Sequence, residues 1–168
     1  GTTPKSDSGR YYNGNHNWVT TSELRENIIS QTKNMITDEA LRDYTTLKFF
    51  PSGSLVVAMY GATIGRLGVL AVDATVNQAC CVLAKAHAVS VSFMYYWLIA
   101  HKKSLISLSS GGGQPNLNQD VIKSLIVFYP GMNEQNDIAD YLEAKTARFN
   151  ALKTKITHAI ELLREKRT

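Results

Sequence analysis

With 168 residues, 44% hydrophobic and 19% charged, and 11 Gly against 4 Pro, the chain has the composition of one compact domain plus an appendage, which excludes a disordered, collagen-like or disulfide-built protein. The net charge of +4 fits a polyanionic partner but lies far below that of a histone-like binder; residues 134–168 hold 7 basic against 6 acidic residues (+1) and residues 1–133 hold 11 against 8 (+3), so the excess sits in the globular part. No run of 18 apolar residues occurs, so no membrane span is expected.

The chain opens on Gly1-Thr2-Thr3-Pro4 without an initiator Met and closes on Glu165-Lys166-Arg167-Thr168 inside a helical pattern, as expected of an excised or processed fragment. Lys5, Arg10, Tyr11, Tyr12, Asn13, Asn15, His16 and Asn17 then crowd into a Gly- and Ser-rich stretch, read as a long polar loop pinned at Pro4 and Trp18. Thr20 and Glu23 stand at capping-box spacing, and Thr37-Asp38-Glu39 before Ala40-Leu41 reads as a second helix start. The runs 55–60, 67–72 and 78–83, separated by Gly, Asp and Asn, read as strands of a curved sheet or partly closed barrel. Adjacent Cys80 and Cys81 are poorly placed to bridge each other, which points to a reducing, cytoplasmic compartment. His16, His87, His101 and His158 are scattered without metal-ligand spacing, so no metal is expected.

Residues 91–103 read as a helix with Phe93, Tyr96, Trp97 and Ala100 on one face. The polar loop 109–116, a helical turn over 117–123 and a last strand over 125–128 follow. Pro130 and Gly131 break that strand, and Asn133 offers a helix cap. From Glu134 to Arg167 there is no Gly or Pro, and such a helix would reach roughly 50 Å at 1.5 Å per residue. Its apolar residues Ile138, Leu142, Phe149, Leu152, Ile156, Ala159 and Leu163 step by fours and threes, interrupted at Lys145, which is a coiled-coil stripe in need of a partner helix. A helix folded back along its own domain is the competing reading. The expected fold is α+β: a globular domain over 1–132 built on the curved sheet with short helices, then one long C-terminal coiled-coil-forming helix over 133–168.

Catalytic signatures are missing. No Gly-Lys dipeptide supports a Walker A loop, and the Gly-rich stretches at 61–65 and 111–113 lack the spacing and acidic residue of a dinucleotide site. Neither a Gly-x-Ser-x-Gly elbow nor an Asn/Asp-Pro-Pro-Tyr string is present, so no catalytic residue is assigned.

Several motifs occur in order: Gly1-Thr2-Thr3-Pro4, the strand end Trp18-Val19-Thr20, Met59 to Gly65 followed by Gly68-Val69-Leu70, Asn77-Gln78-Ala79-Cys80, Gly113-Gln114-Pro115-Asn116-Leu117, and Pro130 through Glu134-Gln135 to Ile138-Ala139. Together they resemble a target recognition domain, with its trailing spacer helix, of the DNA-specificity subunit of type I restriction-modification enzymes. The resemblance implies a non-catalytic subunit that binds double-stranded DNA and methyltransferase subunits and, through them, the restriction and translocase subunit. It implies that S-adenosylmethionine and ATP are used by those partners and that this chain binds no cofactor. Complete subunits of the family carry two recognition domains separated by antiparallel spacer helices, each domain reading one half of a bipartite site; this chain has one of each. By that resemblance it lacks a first strand before Gly1 and stops within its spacer helix.

Base reading needs amide and hydroxyl groups, whereas Lys and Arg anchor phosphates. Three stretches supply them: Lys5, Arg10, Tyr12, Asn13 and Asn15 near the N-terminus; Thr63 and Arg66 in the stretch from Tyr60 to Arg66; and Gln114 and Asn116, with Asn118, after three glycines, a loop that by the resemblance recurs in proteins with different targets and so suits shape or phosphate contact more than base discrimination. The same stretches also fit a solvated loop and a plain hairpin turn. Leu142, Phe149, Leu152, Ile156 and Leu163 are the residues expected to pair the long helix with a second copy or a second half. Two further readings stay open: a coiled-coil scaffold whose sheet domain binds protein, and the recognition fragment of a single-chain restriction and methyltransferase enzyme.

Overall fold

The computed structural model describes residues 1–6, 9–84, 86–108 and 116–165. Strands β1 (Tyr12–Val19), β2 (Asn27–Ile29) and β3 (Asn34–Ile36) precede helix α1 (Asp38–Asp43). Strands β4 (Leu55–Ala58), β5 (Leu67–Leu70), β6 (Thr75–Val76) and β7 (Cys80–Leu83) follow, then helices α2 (Val91–Ser107), α3 (Gln119–Lys123) and α4 (Met132–Glu165). The fold is α+β, with two open sheets in place of a closed barrel. One sheet runs β3-β1-β6 and the other β2-β5-β4-β7.

The sheets are stacked because β4 is apolar at every position. Val56 and Ala58 face a core shared with Val19, Leu70 and Val76, whereas Leu55 and Val57 face a second core made with Leu98 and Leu105 of α2 and Ile122 of α3. A strand buried on both faces reads as an unbroken hydrophobic run, which is why 55–58 was recognisable. β1 likewise divides its end residues: Val19 enters the first core, and Trp18 joins Tyr11, Ile36, Ala40 and Leu47 in a third core beneath α1. The layer order is therefore α1, three-stranded sheet, four-stranded sheet, and α2 with α3. Cys80 and Cys81 are free and point into the first and second cores respectively.

Several expectations need correction. The N-terminal polar stretch contains a strand: β1 pairs antiparallel with β3 and parallel with β6, so backbone pairing on both edges holds residues whose side chains are mostly polar. By contrast, the Thr20 and Glu23 capping box forms as expected and opens a short 3-10 turn over Thr21–Glu23, with the Glu23 carboxylate accepting from the Thr20 N–H at 2.8 Å and from the Lys33 N–H at 2.8 Å. On α2 the buried side chains are Phe93, Leu98 and Leu105; Tyr96 and Trp97 are half-buried and Ala100 is exposed, because α4 covers one flank of α2 and the sheet another. Residues 125–128 form no strand. Leu125 packs on the second core, but Ile126 and Phe128 are 77% and 86% exposed and no strand edge among the described residues pairs with them.

The long helix starts at Met132, and the Gly131 carbonyl accepts the first helical bond from Gln135, so Asn133 lies inside the helix and is not its cap. Its first turns pack on α2 through buried Gln135 and Ala139. Gln135 is a polar clamp: its Oε1 accepts from the Ser90 N–H at 2.8 Å, and its Nε2 donates to the Ala88 carbonyl at 3.0 Å and the Pro130 carbonyl at 2.9 Å. From Glu143 to Glu165 every residue is exposed. Phe149 and Leu163 of the apolar stripe are 70% and 64% exposed, and Leu142 is half-buried.

Candidate nucleic-acid interface

The first cluster of polar candidates is presented by a bulge in β1. Tyr12 and His16 both register with Ile36, which leaves the residues between them displaced from the ladder. Asn13 takes a left-handed conformation at φ 60°, a region Asn tolerates, and a Cβ on Gly14 would lie 2.2 Å from the Ile36 carbonyl oxygen. Glycine is therefore required where β1 presses on β3. The result exposes Asn13 and Asn15 on one edge of the bulge. The exposed amides have the donor and acceptor pair that bidentate adenine contact needs.

Their neighbours are less free. Arg10 Nη1 pairs with Glu39 at 3.3 Å and Nη2 with Asp43 at 3.4 Å, and its guanidinium lies 4.6 Å from the Tyr11 ring centre. The Tyr11 hydroxyl first, then these carboxylates, hold the Arg10 pKa above its ordinary value. Tyr12 donates to the Pro4 carbonyl at 2.6 Å and packs edge-on to Trp18, so it anchors the N-terminal segment. Lys5 is exposed, and its backbone N–H donates to the Tyr44 hydroxyl at 3.0 Å. His16 faces Asp38 at 2.6 Å.

The second and third candidate stretches meet. The connection from β4 to β5 is a 3-10 turn, Gly61–Thr63, flanked by Gly61 at φ 73° and Gly65 at φ 71°. The polar loop expected over 109–116 lies, except for Asn116, outside the described residues; Tyr60 bridges to Asn116, and the Leu117 N–H donates to the Met59 carbonyl at 2.7 Å, so residues 116 and 117 are stitched to the root of this turn. Asn116 is exposed there, whereas Gln114 lies outside the described residues. Asn118 caps α3 by accepting from the Val121 N–H at 2.8 Å, which removes it from the base-reading candidates. Thr63 turns its hydroxyl onto the Tyr60 carbonyl at 3.4 Å. Arg66 is paired with Glu26, which also accepts from Lys102 at 3.3 Å. In the sequence Lys102 reads only as an isolated, solvated lysine and Glu26 carries no signal, since Arg66 and Lys102 reach Glu26 across 40 and 76 residues of chain.

The bulge belongs to the three-stranded sheet and the glycine turn to the four-stranded one. No group of His, Cys, Asp or Glu among the described residues is arranged to hold a metal ion. Among the described residues no helix is long and apolar enough to cross a membrane.

A sequence model of the family described as "Type I restriction modification DNA specificity domain" matches residues 1–162. The chain belongs to this family. The specificity domain is 27% identical over 147 residues to the type I restriction enzyme MjaIX specificity subunit of Methanocaldococcus jannaschii, covering 84% of this chain and 34% of that protein. It is 21% identical over 167 residues to the EcoR124I/EcoR124II specificity subunit of Escherichia coli, covering 96% of this chain and 41% of that protein. The chain thus spans 34% to 41% of the length of these relatives. Its fold is also that of the HsdS subunit from Thermoanaerobacter tengcongensis, with a TM-score of 0.69 at 15% identity over 91% of this chain and 35% of that one. A chain from a structure described as the "structural basis underlying complex assembly and conformational transition of the type I R-M system" superposes with a TM-score of 0.74 at 15% identity, covering 91% of this chain and 36% of that one.

Proposed function

We propose that this chain is one DNA-recognition unit of a type I specificity subunit, reading one half of a bipartite site and directing partner methyltransferase and nuclease subunits to it. The observation that carries the reading is the specificity-domain match over residues 1–162. In this reading residues 1–132 recognise DNA and residues 133–168 form the spacer. Asn13 and Asn15 on the β1 bulge address base edges; Lys5, Arg10, Thr63 and Arg66 contact phosphates, Gln114 and Asn116 serve shape or phosphate contact, and Tyr12 fixes the N-terminal segment that carries Lys5 and Arg10. The chain itself is not a catalyst and holds no cofactor; S-adenosylmethionine and ATP serve the partner subunits, in the cytoplasm.

The exposed stripe Phe149, Leu152, Ile156 and Leu163 is unsuited to water, and it supports pairing of the spacer helix with a second copy or a second half. Two identical units related by a twofold axis prefer an interrupted palindrome.

Retention of a random duplex pool at 50 and 200 mM salt tests the reading. If about three phosphates are neutralised, that fourfold rise in salt lowers affinity roughly 40-fold. A sequence enriched from the pool should lose about 2–4 kcal/mol of binding on Asn13→Ala with Asn15→Ala, while random duplex is held as before. Absence of any salt-sensitive retention would refute DNA recognition.

A further inference from the structure

Glu26 occupies an unusual place. Its backbone is left-handed at φ 54°, a conformation strained for a residue other than Gly, Asn or Asp. Its N–H donates to the Leu67 carbonyl at 2.9 Å, fixing it at the entry to β2. From there one carboxylate oxygen accepts from Arg66 Nη1 and the other accepts from Lys102 Nζ at 3.3 Å. Lys102 arrives from α2 across Gly65, where a Cβ would stand 3.3 Å from its Cγ and 3.4 Å from its Cε. The bare glycine thus makes room for the lysine stem. Three separate elements bring two cations and one carboxylate to the base of the glycine turn.

A tie between β2 and α2 needs one cation, and here two converge on a single carboxylate, leaving one positive charge in surplus. The side chains of Arg66, Lys102 and Glu26 are 44%, 33% and 28% exposed, so a phosphate oxygen approaching the cations from solvent meets a carboxylate already bound to both. Competition of this kind weakens the sequence-independent part of DNA affinity, which comes from phosphate neutralisation, without touching base contacts. We propose that Glu26 is a specificity-determining residue, whose carboxylate withholds Arg66 and Lys102 from the phosphates of non-cognate duplex. This rests on the DNA-recognition reading above. On a cognate site, base contacts elsewhere hold the duplex in place long enough for phosphate to displace the carboxylate.

Glu26→Gln keeps the side-chain shape and removes the charge, and Glu26→Asn suits the left-handed backbone, so one of the pair preserves the fold if the other disturbs it. In the filter assay with random duplex, each variant should bind about five- to tenfold more tightly at 50 mM salt, with the slope of log affinity against log salt steeper by about one to two. The enriched sequence should gain less, so discrimination falls. Adding Arg66→Ala and Lys102→Ala should abolish the gain. If wild type binds with a salt slope and both variants, at unchanged thermal midpoint, match it in affinity and slope, Glu26 is only a structural tie and this inference fails alone. If neither wild type nor variants retain duplex, the DNA-recognition reading fails with it.

Discussion

Cys80 is enclosed by aliphatic side chains between the two sheets, and desolvation first of all pushes its thiol up from 9.0 to about 12. Below pH 9 folded and unfolded chains both carry the proton, and the protonated, buried thiol contributes its full share of stability. Above pH 9 only the unfolded chain ionises, so that share is lost progressively as pH climbs toward 12, at up to about 1.4 kcal/mol per pH unit. Burial also raises Cys81, Tyr12, Tyr60, Tyr95 and Tyr96, which act in the same alkaline direction. The urea midpoint should therefore fall between pH 8 and pH 10.5, and by a smaller amount in Cys80→Ala; equal falls would show that Cys80 takes no part. The residue scale also marks a limit of sequence reading. The amides Asn13 and Asn15 could be singled out by type, but the pairing of Arg10 with Glu39 and Asp43 follows from how α1 docks on β1, which no local pattern encodes.

At the scale of elements, the union of α2 and α4 depends on Gln135. Replacing it by Leu would strip partners from the Ser90 N–H and from the carbonyls of Ala88 and Pro130, in a site where Gln135 itself is buried. Unsatisfied groups of this kind cost about 1–3 kcal/mol each, less where water reaches them, so Gln135→Leu should lower unfolding free energy by about 2–4 kcal/mol in urea titration. A loss below 0.5 kcal/mol would mean that apolar packing alone holds the helix. The Glu134-Gln135 pair was noticed in the sequence as part of a motif, yet its buried role emerges only from the joint it closes. Legibility followed burial and length: β4, β5 and β7 are apolar runs and were found, whereas β3 and β6 are short and β1 is polar, and each exists through pairing with distant chain. Residues 125–128 have strand chemistry without a strand partner among the described residues, the converse error. The α4 stripe was visible because 3.5-residue spacing needs no tertiary context.

Across the whole molecule, the helix stays beside α2 as far as Asn150 and then continues alone for roughly 22 Å at 1.5 Å per residue. Leu152 and Ile156 lie in this free portion, so replacing both by Asp leaves the cores untouched and acts only on association. Light scattering should give twice the 18.6 kDa chain mass for a self-paired wild type and the single-chain value for Leu152→Asp with Ile156→Asp. A dimer that survives both changes would place the contact elsewhere. The interior has its own division. β7 separates two hydrophobic chambers, with Cys80 sealed in one and Cys81 in the other. Neighbours in sequence, the two sulfurs belong to different halves of the fold, so the order in which a thiol reagent marks them as the protein opens dates the failure of each chamber, without a label having to be introduced.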